Sequence, residues 1–342
     1  MTFVQELATI VLNGLQTGAI YVLVAIGLSI ILGTLRFVNF AHGALYLIGA
    51  YAGLFIALEV RLTNGKLREW GFETVGLGWG FLAALVLVPL LVFVVGLVME
   101  RVVARPFYDR PDTDQILVTF GLAIIVQELF RVLFGGQSIN FTQPQKILAW
   151  LGPINIPFVG TFTGLQVSGP VNLPIVGNFA LWRLYVIAIT AVLVGLVYLL
   201  VEYTDFGLVV RAGTRDPEMV RLLGIKITRP YIVMFGIGAA LAGVAGVVGG
   251  PLESVNPNIG TAVLVPAFLT VVIGGVGSIT GAVIGGVLIG MVYAALVTLD
   301  PVTLFGFTLT WSPWSQVGIY ALAAIVLLTR PQGLLGEEEV VP

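Results

Sequence analysis

The chain has 342 residues, of which 58% are hydrophobic and only 10% are charged, against roughly 25% charged in an average soluble domain. This composition excludes a soluble fold and indicates a polytopic membrane protein. With 16 basic and 18 acidic residues the net charge is -2, so no basic field is available to recruit nucleic acid. The lack of cysteine and the single histidine exclude disulfides, thiol chemistry and a metal site built on cysteine or histidine ligands.

Long stretches without charge predict the membrane spans, because a helix needs about 20 apolar residues to cross the hydrocarbon core. The fold class expected is an all-α polytopic membrane protein, a single transmembrane domain over 1–342 with about nine helices (eight to ten). The apolar start lacks a basic segment and is too long for a cleaved signal peptide, so it counts as the first span. The predicted spans are 7–35, 37–58, 74–99, 116–134, 184–201, 230–252, two within 254–299, and 301–329.

The distribution of Lys and Arg predicts the orientation, since short cytoplasmic loops carry an excess of both. Basic residues concentrate in the connections 99–115 and 202–230. We therefore expect these connections and the C-terminus in the cytoplasm and the N-terminus outside. The connection 59–76 would then lie outside with three basic residues, which acidic residues accompany.

The segment 135–180 carries one charge, Lys146, and several prolines and glycines that forbid a regular spanning helix. It is predicted to be an ordered external loop. Its apolar content favours packing on the membrane domain, and contact with an external partner is the alternative.

The connection 202–230 contains the signature of a short, self-contained helix. Asp216 is suited to the N-cap, Pro217 to the first helical position, and Gly224 to a left-handed residue at the end. Apolar residues would share one face of this helix outside the membrane, as a docking helix for a cytoplasmic partner requires. A helix lying on the membrane surface is the alternative. The residues assigned to docking are Arg215, Asp216, Pro217, Glu218, Met219, Leu222, Leu223 and Gly224.

Small residues concentrate in 236–250 and 274–290, where several glycines are four residues apart and allow helix backbones to approach closely. Tight packing within the chain is one interpretation. The other is a seam with a second subunit or a helix pair along a pathway. The glycines concerned are Gly246, Gly250, Gly274, Gly275, Gly277, Gly281 and Gly285.

Three polar features fall near predicted spans. Asn39 and His42 are three residues apart at the start of the second span and would share a helical face. Either His42 is a buried histidine bonded to the backbone, or the two line the inner mouth of a pathway. Glu128 and Arg131 are expected to pair near the outer interface, with Arg183 as a further partner.

Several classes of activity lack their motifs. There is no G-x-x-x-x-G-K-[ST] loop, so this chain would not hydrolyse nucleotide alone, and no nucleophile elbow or H-E-x-x-H helix. A secondary transporter would need a coupling-ion site, which the nearly uncharged spans do not offer. A passive channel would leave the docking helix unexplained. An intramembrane enzyme would have only His42 as a base.

Four blocks of the sequence, in family order, resemble the permease subunits of branched-chain amino acid ABC importers, and more closely the H-type of the two paired permeases of this hydrophobic amino acid uptake family. The likeness covers nearly the whole chain apart from the longer segments around 59–76 and 140–180. The blocks are 13–28 (NGLQTGAIYVLVAIGL), 39–43 (NFAHG) with 49–51 (GAY) after it, 211–225, and 274–282 (GGVGSITGA).

The resemblance implies a multi-pass subunit of the cell membrane that transports and catalyses no reaction itself. It would pair with a second homologous permease, contact two cytoplasmic ATPases that bind ATP and magnesium, and receive substrate from an extracytoplasmic binding protein. The stretch 216–224 matches the family's coupling helix. Branched-chain or other neutral amino acids are the expected substrates, with urea or short amides as the alternative, and no cofactor is expected in this chain.

Overall fold

The computed structural model describes residues 3–141, 154–156, 160–162, 169–173, 176–304 and 307–336. Within these ranges the chain is mostly helical, with short two-stranded hairpins between the helices. The helices are α1 (Phe3–Leu35), α2 (His42–Ala57), α3 (Lys66–Glu69), α4 (Phe81–Met99), α5 (Asp112–Phe134), α6 (Leu181–Tyr203), α7 (Asp205–Arg215), α8 (Pro217–Leu222), α9 (Thr228–Gly249), α10 (Ile259–Gly274), α11 (Ile279–Thr298) and α12 (Ser315–Thr329). The strands are β1 (Val60–Arg61), β2 (Thr74–Val75), β3 (Ile154–Ile156), β4 (Gly160–Phe162), β5 (Pro170–Leu173), β6 (Gly177–Ala180), β7 (Val302–Leu304) and β8 (Phe307–Leu309).

Among the described residues, 7 helical segments are long and apolar enough to cross a membrane. They are α1, α4 with its continuation to Phe107, α5, α6, α9, α11, and α12 with the turn before it. Two more helices, α2 and α10, are apolar but shorter. All of them lie where the charge-free stretches predict spans, so the polytopic helical fold is confirmed. The count of nine crossings and the orientation of the termini stay predictions.

The core forms around α1 and α9, which pack on each other and on α2, α4, α10 and α11. Nearly every residue of 19–31 in α1 is buried, because this helix is surrounded on all sides. Glycines bring the backbones together: a Cβ built on Gly27 would lie 2.5 Å from the carbonyl oxygen of Gly238, and one on Gly43 equally close to that of Gly260. Only glycine permits such approaches without displacing backbone.

The helices at the periphery bury only one face or less. Hardly any residue of α5 is buried, and α6 and α12 bury few. The apolar side chains that α5 leaves exposed are Ile116, Leu117, Phe120, Ile124, Ile125, Leu129 and Val132. Such surfaces fit a membrane environment or a neighbouring subunit.

The predicted external loop 135–180 is described only in part. Its described portions include two antiparallel hairpins, β3–β4 and β5–β6. Residues 142–153, with Lys146, and 157–159, 163–168 and 174–175 lie outside the described residues. At the start of the segment Ile139 forms an antiparallel bridge with Val255, with N···O distances of 2.8 and 3.0 Å. This bridge ties the segment to the connection between α9 and α10.

The connection 202–230 holds two helices where the sequence predicts one. The second, α8, is the predicted short helix, and α7 precedes it with a single residue, Asp216, between them. At the start of α7 the Oγ1 atom of Thr204 accepts a hydrogen bond from the amide of Gly207 at 3.1 Å. This cap and the following Asp205 are the signals that the sequence offers for α7.

Candidate functional site

The short helix α8 has the capped ends that its sequence predicts. The Asp216 Oδ1 atom accepts a hydrogen bond from the Met219 amide at 2.9 Å, and Pro217 occupies the first turn. At the other end Gly224 adopts a φ of 79°, which L residues with a side chain rarely adopt. Its amide bonds to the carbonyl of Arg221 at 2.9 Å. Both ends of α8 are therefore defined by local hydrogen bonds.

The outward face of α8 is apolar and uncovered. Met219, Leu222 and Leu223 are 53%, 77% and 70% exposed. Glu218 and Arg221 are exposed beside them, and Val220 is buried and anchors the helix to the chain. An apolar face held outward on a fixed helix has the form of a docking element.

The helix α7 lies between α8 and the long apolar helices. It packs against α1, α6 and α9 and buries Val210. Arg211 of α7 pairs with Glu202 at 2.9 Å. A Cβ built on Gly213 would lie 2.7 Å from the hydroxyl of Tyr231 in α9, so α7 lies directly on that helix. α8 is therefore connected to α9 through α7 as well as along the chain.

Asn39 and His42 are both buried deeply between α1 and α2. The expectation that they share a helical face is wrong, because α2 begins at His42 and Asn39 lies in the segment before it. The His42 Nε2 atom lies 3.1 Å from the carbonyl oxygen of Val24. The Nδ1 atom of His42 and the amide group of Asn39 are buried without a partner among the described residues. This geometry favours the buried, backbone-bonded histidine, and a role in the pathway stays a prediction.

The seven glycines assigned to packing or to a seam all meet atoms of their own chain. Gly246 faces the backbone of α2, and Gly250 faces the ring of Phe141. Gly274 and Gly281 meet each other where α10 turns into α11, and Gly285 faces the Thr270 carbonyl. The other two, Gly275 and Gly277, face Gly336 and Gly33. The structure thus favours packing within the chain for these positions, and a subunit seam there stays untested.

A polar network that the sequence does not reveal joins α5 to the start of α10. The Asn258 Oδ1 atom accepts hydrogen bonds from Gln127 Nε2 and from Arg131, both at 2.8 Å. Thr261 donates its hydroxyl to Gln127 Oε1 at 2.8 Å. Arg131 also pairs with Glu128 at 3.1 Å, as predicted. This network reaches the surface of the isolated chain, where Asn258 and Thr261 are exposed.

Arg183 does not take part in this network, contrary to expectation. Its guanidinium donates to Asn13 Oδ1 instead and lies 5.7 Å from the centre of the Phe179 ring. It therefore fixes the start of α6 against α1.

Comparison with known proteins supplies the context for these features. The family model "Branched-chain amino acid transport system / permease component" matches residues 10–328. The high-affinity branched-chain amino acid transport system permease protein LivH of Escherichia coli K12 is 30% identical over 335 residues, which is 96% of this chain and 95% of that protein. BraD of Pseudomonas aeruginosa, described in the same words, is 31% identical over 330 residues with the same coverage.

A more distant relative is the fructose import permease protein FrcC of Rhizobium meliloti, 29% identical over 151 residues, or 43% of this chain and 35% of that protein. No solved structure matches the chain. The family match spans the apolar helices and α8 alike. The chain therefore belongs to the permease component family of branched-chain amino acid transport systems and is a multi-pass inner membrane protein.

Proposed function

We propose that the chain is a permease subunit of an ATP-driven ABC importer that moves branched-chain or other neutral amino acids into the cytoplasm. The whole chain, 1–342, acts as one transmembrane domain in this proposal. The observation that carries it is the capped α8 with its uncovered face of Met219, Leu222 and Leu223. The permeases LivH and BraD, with which the chain aligns almost from end to end, support the substrate class.

The face of α8 receives a cytoplasmic ATPase in this proposal. ATP and magnesium bind to two such ATPases, since this chain has no phosphate-binding loop of its own. Closure of the ATPase pair moves the docking helices, and the permease alternates between outward and inward access as a rigid-body change. The connection 202–230 and the C-terminus then lie in the cytoplasm and the N-terminus outside.

A second, homologous permease covers α5 and the start of α10. The network of Gln127, Arg131, Asn258 and Thr261 lies near the end of a candidate span, the end that faces outward in this proposal, and polar groups within a span rarely face lipid. The exposed apolar side chains of α5 surround it, which is the composition of a subunit interface. An extracytoplasmic binding protein delivers the substrate on the side of segment 135–180.

The partner surface can be tested by crosslinking, because the chain has no cysteine of its own. Ile125→Cys on α5, labelled with a thiol-reactive photo-crosslinker, should crosslink to the second permease in the assembled transporter. Leu199→Cys on α6 is the control, since its side chain is also exposed but lies on another face. Crosslinks from Leu199→Cys alone would place the second permease on α6 and refute the proposed interface.

The transport proposal is tested by expressing this chain with its genomic neighbours and purifying the assembly by a tag on it. ATPase activity should rise when an extracytoplasmic binding protein loaded with leucine is added. A response to the urea-loaded protein alone would keep the importer mechanism and replace the substrate by urea or a short amide. If no ATPase copurifies and flux ignores ATP, an ATP-independent channel or an ion-coupled carrier becomes the better account.

A further inference from the structure

A groove between the end of α4 and the α8–α9 connection concentrates positive charge. Its volume is about 510 Å³, within the range of small-molecule sites. No acidic residue is among its lining residues. The basic side chains that line it come from two separate parts of the chain: Arg101 and Arg105 from one, and Arg221, Lys226 and Arg229 from the other.

These five side chains are exposed and form no ion pair with any residue that the structure describes. The ion pairs recorded in the described part of the chain involve other residues, and none of the five side chains donates a recorded hydrogen bond there. The acidic neighbour of Arg101, Glu100, is buried and accepts a hydrogen bond from the Tyr108 hydroxyl at 3.1 Å. Its carboxylate therefore does not neutralise the groove.

The groove continues into an exposed apolar stripe on α4. Val94 and Val98 are exposed and, four residues apart, share one face of α4. They lie on the same candidate span, Phe81–Phe107, that carries Arg101 and Arg105 at its end. Val102, also exposed, lies between the arginines in the π-helix Glu100–Ala104. Inside the groove, Ile225 and Ile232 add apolar surface.

We propose that this groove binds the phosphate headgroup of an anionic phospholipid, with an acyl chain lying along Val94 and Val98 of α4. A soluble anion would need the cations and not the stripe, whereas a phospholipid uses both. Basic pockets between membrane helices bind anionic headgroups in this way, and the cytoplasmic leaflet supplies them. This inference rests on the orientation given under Proposed function, with the connections 99–115 and 202–230 on the cytoplasmic side, and does not require transport activity.

The test is a lipid titration of the full-length chain in detergent, read by native mass spectrometry. Phosphatidylglycerol should bind in preference to phosphatidylcholine of the same chain lengths. The double variant Arg101→Gln, Arg105→Gln should weaken phosphatidylglycerol binding about 25-fold, since each cation near an anionic headgroup contributes roughly a factor of five. The control Arg61→Gln, Lys66→Gln removes the same charge from the connection 59–76 and should leave binding within about twofold.

Three results would overturn the proposal. Equal binding of the two lipids would show that the cations do not select the headgroup. If inorganic phosphate at the same concentration as the lipid displaces phosphatidylglycerol, the groove is a site for a free anion. Unchanged lipid affinity together with loss of ATPase copurification in the variant would assign the groove to the ATPase instead. If the first variant fails to fold, Lys226→Gln with Arg229→Gln tests the opposite wall of the groove. This variant should also lose the preference for phosphatidylglycerol over phosphatidylcholine.

Discussion

Replacing Leu222 and Leu223 of α8 with alanine is expected to weaken ATPase binding about 150-fold. Both side chains are about three-quarters exposed and would be buried in the proposed complex. Burying a leucine contributes about 1.5–3 kcal/mol, and truncation to alanine removes roughly 1.5 kcal/mol of that per residue. The two losses sum to about 3 kcal/mol, which corresponds to the stated change in the dissociation constant.

The assay is a titration of purified ATPase onto the permease pair in nanodiscs. The matched control is Phe72→Ala with Leu77→Ala, two exposed apolar side chains in the connection between α2 and α4. Thermal unfolding should be unchanged for both variants, because neither pair is packed in the core. Aspartate at both leucine positions should abolish binding, since burial would also desolvate two carboxylates. An affinity within twofold of the parent for the alanine pair, or an equal loss in the control, would refute the docking assignment.

Three further substitutions test other parts of the fold. Asp216→Ala removes the N-cap of α8, worth about 1 kcal/mol, and should weaken ATPase binding about fivefold in the same titration. Asp216→Ser should largely restore the affinity. Equal affinity in the parent and both variants would contradict this prediction. Gly285→Ala places a Cβ 2.5 Å from the Thr270 carbonyl oxygen and should lower the thermal unfolding midpoint by an overpacking penalty of about 1–3 kcal/mol. The control Gly195→Ala has open space around it and should leave the midpoint unchanged. A Gly285→Ala protein as stable as Gly195→Ala would argue against backbone packing at Gly285. His42→Ala should lower the midpoint through a lost buried side chain and hydrogen bond of about 2–4 kcal/mol, with His42→Gln partly restoring it. An unchanged midpoint with transport lost would place His42 in the pathway instead.

The positions of the apolar helices could be predicted because charge in a span is energetically costly and leaves a clear gap in the sequence. The first and last residues of these helices could be predicted less well. The predicted span 116–134 begins four residues late, since Asp112 and Asp114 complement the N-terminus of α5 and were assigned to the connection. The helix α7 was missed because it is amphipathic, short and interrupted by Gly207 and Gly213, which lower helix propensity.

The local geometry of α8 could be predicted because caps are set by neighbours in sequence. Contacts between distant segments could not. Spacing showed that the glycines allow close packing, but it carries no information on which helix approaches them. The bond between Gln127 and Asn258 joins residues 131 apart in the chain, and no sequence pattern links them. Asn39 was misplaced because a turn between α1 and α2 has no apolar periodicity to locate it.

The attachment of α8 to the bundle also determines how displacement travels through the protein. From α8 the chain enters α9 within a few residues, and α9 contacts α1, α2 and α4 along faces rich in glycine. On α1 and α2 the contacts of α9 include backbone against backbone, as between Gly238 and Gly27, so that a slide there moves few side chains. On α4, Gly236 and Gly243 meet the side chains of Phe93 and Val92. A helix of 22 residues is about 33 Å long and stiff along its axis. A displacement of α8 would therefore enter α9 at its start and be directed along its axis toward Gly250, at the far end.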